Sequence, residues 1–376
     1  MKEYVTSNIS LRLLNQNRIL NLLYNEGSLT QSEIKEKSGL SGPTVNSALQ
    51  LYKEAGIFIC GEALASSGGR KPMLLAFNYD YRYAIGLEIR KHHVDISIIN
   101  LKGSCLAFKS IRKVFAMTDD YLKEVNGLVK ELVKENGIAE ERLLGIAMAF
   151  PGEISLSGDE ITRATVLNIH NVPLSSFREA FDYPLLIEYG PNAAGFGAVF
   201  RDKSIDDAVY VVITDNGIAG SVVIDKKIYR GRTGKAGAFG HIALDPNGRI
   251  CDCGRRGCWS ACCALNVLTN NDEIKLKDFF AKVDEGDSKA KGLLDKYLHD
   301  LSSGLIDVRL AYDTDIIIGG KIAPYLCNYL DTIKEYVFSY PVLKDDEFEI
   351  SLDMSSSSPM SLGAALMLAD DFLKRN

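Results

Sequence analysis

Residues 241–263 read HIALDPNGRICDCGRRGCWSACC, and the reading of Cys251, Cys253 and Cys258 within them decides how the rest of the chain is understood. Five of the eight cysteines fall between positions 251 and 263. Gly254 and Gly257 let the loop fold back tightly enough for several thiolates to face one point. Tetrahedral zinc takes four nitrogen or sulfur donors, and His241, just upstream, supplies the fourth beside the three cysteines. Four protein ligands leave no open position for water, so such a zinc is structural. The alternative is a set of free thiols around a turn. Cys262 and Cys263 stay outside the ligand set. They lie in an apolar run that reads as helical, where free cysteine acts as a small buried hydrophobe.

Working outward, a chain of 376 residues exceeds what one small core needs, and two to three domains are expected. A hydrophobic content of 46% with 24% charged residues is that of a globular protein. No run approaches the roughly eighteen apolar residues of a membrane span. The opening MKEYVTSNIS has neither the basic start nor the apolar stretch of a signal peptide. A cytoplasmic location with no membrane partner is therefore expected, and there clustered cysteines indicate metal or free thiol more than disulfide. The net charge of -6 argues against a general polyanion binder. The balance is uneven: residues 1–75 hold five Lys and three Arg against six Glu, a net of +2, which leaves -8 for the remainder. Such a module binds DNA only if its basic groups are focused on one face.

Residues 9–24 carry apolar side chains at helical spacing. Thr30 with Glu33 is a capping-box pattern opening a second helix, and Ser41 caps a third in which Pro43 falls in the tolerant first turn. Two short strands follow, joined by the polar loop LASSGGRKP at 64–72. Helix, helix, turn, helix and a two-stranded wing form a winged helix-turn-helix. Val45, Ala48 and Leu49 suit the inward face of the third helix. Ser41, Thr44, Asn46, Ser47 and Gln50 are left as candidates to meet DNA bases or phosphates, with Arg70 and Lys71 of the wing on the minor groove or backbone. No Arg or Lys occurs between Gly39 and Tyr52, so phosphate contacts are expected from flanks such as Lys35, Lys37 and Lys53. The alternative is a solvated surface on a protein-binding domain.

From Tyr83 the pattern becomes three strands, an amphipathic helix near Thr118, a strand ending at Pro151, another strand and a helix. A comparable order recurs from Ala208. Repetition within one chain indicates an α/β body of two similar lobes of the ribonuclease H or actin-like ATPase type, with a ligand-sized cleft between them. The expected division is a winged helix at 1–78, a first lobe at 79–200 completed by the C-terminal helix 360–376, and a second lobe with the zinc loop at 201–359.

With the winged helix, the GRKP wing, GAFGH at 237–241 and CDCGRRGC at 251–258 in hand, the chain resembles the ROK family of sugar kinases and sugar-responsive repressors, over essentially its whole length. The resemblance implies zinc on His241, Cys251, Cys253 and Cys258, and points to the transcription-factor branch. It also implies a kinase site that this sequence has lost. The first phosphate loop, D-x-G-G-T-K in the kinases, reads Glu88-Ile89-Arg90-Lys91-His92-His93; the second, G-T-G-x-G, reads Asp215-Asn216-Gly217-Ile218-Ala219. A backbone that cradles phosphates needs small residues for close approach. The catalytic Asp of E-N-D-A-N corresponds to Gly190, and glycine cannot take a proton. The family's sugar-holding positions correspond to Val166, Gly190, Ala238, His241 and Ser260, of which His241 alone is retained. Each lost partner of a buried hydroxyl costs about 1–3 kcal/mol, which argues against an ordinary glucose site.

The sequence therefore leads us to expect no enzyme, but a DNA-binding regulator of carbohydrate-related genes, a repressor more than an activator, acting on a double-stranded operator as a homodimer or a dimer of dimers. Its cleft is expected either to serve assembly alone or to hold a carbohydrate-like effector through Glu153, Asn168, His170, Asn171, Tyr189, Asn192 and His241. The effector expected is a small neutral molecule less densely hydroxylated than glucose, or one gripped mainly through His241 and Asn192. The rival readings are a sugar kinase with an altered site and a scaffold that does not bind DNA.

Overall fold

The computed structural model describes residues 8–63, 73–271, 273–344, 346–355 and 358–375. The N-terminal module comprises α1 (Asn8–Glu26), β1 (Ser28–Thr30), α2 (Gln31–Ser38), α3 (Gly42–Glu54), β2 (Phe58–Ala63) and β3 (Met73–Phe77). Its helix boundaries follow from local chemistry. Thr30 Oγ1 accepts from Glu33 N at 3.3 Å while Glu33 Oε2 accepts from Thr30 N at 2.7 Å, closing both halves of the capping box. Gly39, at φ 65°, ends α2 in the left-handed conformation that glycine adopts without strain. Strand β1 was not legible in the sequence, because three residues are too few to show alternation. It pairs with β3 and gives the sheet order β1-β3-β2. Residues 64–72, with Arg70 and Lys71, lie outside the described residues.

The first lobe is built on β4 (Tyr83–Ile89), β5 (His93–Asn100), β6 (Cys105–Arg112), α4 (Asp119–Glu135) and β7 (Leu143–Phe150). A small sheet follows, β8 (Glu153–Ile154), β9 (Glu160–Ala164) and β10 (Ile169–Pro173), then α5 (Ser175–Arg178), β11 (Leu185–Tyr189) and α6 (Gly190–Arg201). The second lobe carries β12 (Ala208–Ile213), β13 (Ile218–Ile224), β14 (Lys227–Ile228), α7 (Trp259–Cys263), α8 (Leu265–Leu268), α9 (Leu276–Asp284) and α10 (Ser288–Tyr312). It continues through β15 (Asp315–Gly319), α11 (Ala323–Leu326), α12 (Leu330–Phe338) and β16 (Ile350–Leu352) to α13 (Pro359–Arg375). The large sheets run β11-β7-β4-β5-β6 and β14-β13-β12-β15-β16. In each, the first three strands in sequence are antiparallel and the next two add in parallel beside the first. The internal repeat inferred from element order is thus a repeat of topology. Central strands such as β4 and β12 are buried along their whole length, β12 as an unbroken apolar run and β4 with Glu88 as its one charged residue.

Two helices fill the space between the sheets. α13 lies on β4, β5 and β7, and α6 lies mainly on β12 and β13. Sequence order places α6 with the first lobe, but Ala194, Ala198 and Val199 pack with Tyr210, Val212 and Val223 of the second. The helices cross at Gly197 and Gly363, where a Cβ on Gly363 would lie 1.9 Å from the Ala193 carbonyl oxygen. At its far end α13 inserts Ala369 and Leu373 into the winged-helix core beside Ile19, Leu23, Ile34 and Val45. Asn17 Nδ2 donates to the Lys374 carbonyl at 3.0 Å, and Tyr24 Oη to that of Leu101 at 3.0 Å. The winged helix is therefore welded to the first lobe. Among the described residues no helix is long and apolar enough to cross a membrane.

Candidate functional site

The cysteine loop is a small knot of backbone hydrogen bonds. Trp259 N donates to Ile242 O, Leu244 N to Gly257 O and Cys251 N to Arg255 O, each at 2.8 Å. Gly257, at φ 67°, is obligatory, since a Cβ there would sit 1.4 Å from the Asp245 carbonyl oxygen. These bonds bring one donor atom from each of His241, Cys251, Cys253 and Cys258 within 4.8 Å of the others. His241 Nδ1 lies 3.8 Å from Cys251 Sγ, and Cys253 Sγ lies 3.7 Å from Cys258 Sγ. A tetrahedron with metal–sulfur bonds of about 2.3 Å has edges of roughly 3.7–3.8 Å, so the donors fit a metal ion. Burial, followed by the adjoining thiols of Cys253 and Cys251, pushes the Cys258 thiol up to about 12. The metal-free cluster is thus protonated there, and ion binding must release that proton. Cys263 is buried in the core under Tyr297, apart from the cluster.

A cleft of about 530 Å³ opens between the lobes. Of the expected effector residues, Glu153, Tyr189, Asn192 and His241 line it. Asn168, His170 and Asn171 do not. Asn168 (φ 55°) and Asn171 (φ 50°) occupy left-handed positions beside and within β10, a backbone role that asparagine tolerates well, and His170 is exposed on that strand. The positions matched to the family's sugar-holding residues also divide. Ala238 and His241 are on the wall, Val166 is exposed elsewhere, and Ser260 Oγ is spent on the backbone of Ile218, whose N lies at 2.9 Å. The residues that sequence reasoning missed are cationic: Arg163, Arg178, Arg230 and Lys235. The signal existed in YRGRTGKAGA at 229–238, where basic side chains alternate with glycines in a loop next to His241. Arg163 pairs with Glu153 at 2.7 Å, and Arg230 reaches across from the second lobe to buried Glu188. Glu188 also accepts from Asn192 Nδ2 at 2.9 Å. Burial raises the Tyr189 hydroxyl to about 12 and keeps it neutral.

On the N-terminal module, Ser41, Asn46, Ser47 and Gln50 are exposed on or at the start of α3, with Thr44 half-buried. Ser41 Oγ and Thr44 Oγ1 lie 2.8 Å apart within the helix cap, Asn46 bonds Gln31, and Gln50 donates to Glu54 at 2.9 Å. Val45, Ala48 and Leu49 face the core as expected. The structure also supplies a cation that sequence reasoning missed, for Arg12 of α1 borders the same groove as Thr44 and Ser47.

Residues 84–370 match the model of the ROK family, and residues 13–58 match a winged helix-turn-helix DNA-binding model. The chain belongs to the ROK family. It is 26% identical to the xylose repressor of Bacillus subtilis strain 168 over 376 residues, covering 96% of this chain and 97% of that protein. It is 22% identical to the DNA-binding transcriptional dual regulator NagC of Escherichia coli K12 over 364 residues, 89% of each chain. In fold it resembles the crystal structure of a ROK transcriptional regulator described as a homolog of the E. coli MLC protein (TM-score 0.77, 20% identity, 97% of this chain and 98% of that one). It also resembles a ROK glucokinase from Streptomyces griseus solved with glucose and AMPPNP (TM-score 0.66, 20% identity, 76% and 98%). This ROK protein therefore joins a DNA-binding domain to a sugar-kinase-like body.

Where ROK kinases carry glycine-rich phosphate loops, this ROK chain presents side chains in ion pairs. Arg90 bonds buried Asp95 and lies 3.7 Å from Glu88, while Lys321 holds Asp215 at 3.0 Å. The hollow between them is about 100 Å³. Burial drives the Glu88 carboxyl upward against the opposing pull of Arg90 and of its bond from Ser358. Gly190 opens α6, and a Cβ there would meet Met360 Sδ at 2.8 Å, so a thioether fills the space beside the position of the missing acid.

Proposed function

We propose that this protein is a sequence-specific repressor of carbohydrate-related genes, cytoplasmic and homodimeric, whose kinase-like body binds a carbohydrate-like effector and catalyses nothing. The observation that carries the reading is the junction in one chain of a winged helix with a sugar-kinase-like cleft that has glycine, not an acid, at position 190. Similarity to the xylose repressor across both domains supports it. The metal in this reading is a structural zinc on His241, Cys251, Cys253 and Cys258, since a full set of protein donors leaves no site for water. A dimer would present two α3 helices to half-sites one helical turn apart, or a multiple of it.

Footprinting of the full chain on its own upstream DNA tests the proposal, with a protected, two-fold-related site as the expected result. If no site is protected and deletion of the winged helix leaves in-cell regulation intact, the scaffold reading replaces it. Within a protected site two substitutions separate the roles of the side chains. Arg12→Ala should weaken binding to all sequences alike and lower the salt slope by about one, because it removes one phosphate charge. Asn46→Ala should cost about 1–3 kcal/mol on the operator alone, the loss of a base contact. Competition binding at two salt concentrations reads both.

A further inference from the structure

The charges around the cleft are not those of a site for a neutral sugar. Arg163, Arg178, Arg230 and Lys235 line it against two carboxylates, Glu153 and Glu188, in a chain whose net charge is -6. Both carboxylates are already satisfied, Glu153 by Arg163 and Glu188 by Arg230 and Asn192. The Arg178 guanidinium donates to the Gly158 carbonyl at 3.3 Å, and among the described residues no carboxylate pairs with Arg178 or Lys235. These two cations come from opposite lobes, Arg178 from α5 and Lys235 from the loop leading to His241. Both are exposed along the cleft wall, so nothing among the described residues neutralises them and a ligand's charge can reach them. An anion between them would take charge-assisted hydrogen bonds from both sides, and a guanidinium suits both carboxylate and phosphate oxygens. A second observation marks a hydroxyl subsite deeper in. Asn192 is 6% exposed, its amide nitrogen is committed to Glu188, and its carbonyl oxygen Oδ1 has no donor. His241 turns Nδ1 toward Cys251, which leaves Nε2 free to donate.

We infer that the cleft takes an acidic carbohydrate, one bearing a single carboxylate or phosphate, with the anion held between Arg178 and Lys235 and a ring hydroxyl donating to Asn192 Oδ1. This rests on the effector reading above and replaces the neutral molecule expected from the sequence, where loss of the family's acids was visible but convergence of the cations was not. The anion ties the first lobe to the loop that carries His241, so binding and lobe closure are one event.

The test is calorimetry on the full, metal-loaded chain with matched pairs: glucose against glucuronate and glucose 6-phosphate, xylose against xylose 1-phosphate, and N-acetylglucosamine against its 6-phosphate. In at least one pair the acid should bind at least about tenfold tighter than its neutral partner, a margin of about 1.4 kcal/mol that shrinks at high salt. Which acid wins separates a carboxylate ligand from a phosphate one. Arg178→Gln and Lys235→Gln should each erase the margin without moving the melting temperature. Asn192→Ala should weaken acid and neutral partner together. Neutral sugars binding as tightly as their acids, with release of operator DNA, would overturn the acidic ligand and leave the effector reading standing. Absence of binding by every acid also overturns it. If the neutral sugars too are silent and operator affinity ignores the whole panel, the effector reading falls with it.

Discussion

Replacing Cys258 with serine should reduce bound metal from near one ion per chain to near zero and lower the melting temperature by about 10 °C. Cys258 is completely buried, its thiol lies 3.7 Å from that of Cys253, and the backbone around it is tied to Ile242, Ala243 and Leu244. Without the ion, thiol and imidazole groups are left crowded in a loop whose glycine cannot be relaxed, Gly257 lying against the Asp245 carbonyl. Loss of a metal is among the few single changes worth more than about 4 kcal/mol, and each kilocalorie moves the midpoint of a domain this large by about 2–4 °C. Elemental analysis with thermal unfolding checks the result. Cys60→Ser, on an exposed strand position, is the control and should leave both quantities unchanged. Full metal retention by Cys258→Ser would remove this residue from the ligand set.

No sugar should stimulate ADP formation by the purified protein, and Gly190→Asp should not restore it. Sugar phosphorylation needs a base for the hydroxyl and an uncluttered cradle for the phosphates. The first is missing at Gly190. The second is occupied by Arg90 in its pairs with Glu88 and Asp95 and by Lys321 with Asp215. A new carboxylate at 190 would meet Met360 and still face no cradled nucleotide. Since kinases of this kind turn over at roughly 1–100 per second, a coupled assay has ample range. Sugar-dependent turnover abolished by changing a cleft residue would return the protein to the kinases.

The winged helix and the repeated lobes were legible because their signals are local. A capping box and strand runs survive without knowledge of neighbours, and so did the His241 and cysteine donors, which sit on one short loop. What escaped depends on distant segments meeting. Arg163, Arg178, Arg230 and Lys235 come from three separate parts of the chain and converge only across the cleft. Arg12 reaches the recognition helix from α1. Asn168 and His170 misled for the opposite reason. Their polarity looked like a binding stretch, whereas Asn168 serves a turn and His170 faces solvent. α6 belongs by sequence to one lobe and by packing mainly to the other, with Ala193 and Phe196 still against the first, since small apolar residues suit either sheet.

α13 has its first turn beside Gly190, through Met360, and its last in the core of the DNA-binding module, through Leu373. Seventeen residues of helix make a rod of about 25 Å. Because α13 is packed on the first lobe and anchored in the winged helix, the three would turn as one body about the glycine crossing with α6, and the roughly 18 Å of α13 beyond Gly363 would carry its far end by about 1.5 Å for a rotation of about 5°. Two such arms in a dimer would change the separation of the recognition helices by about 3 Å, roughly one base-pair step along the duplex. A ligand that shifted the lobes by less than its own width would thus be enough to move a half-site out of register.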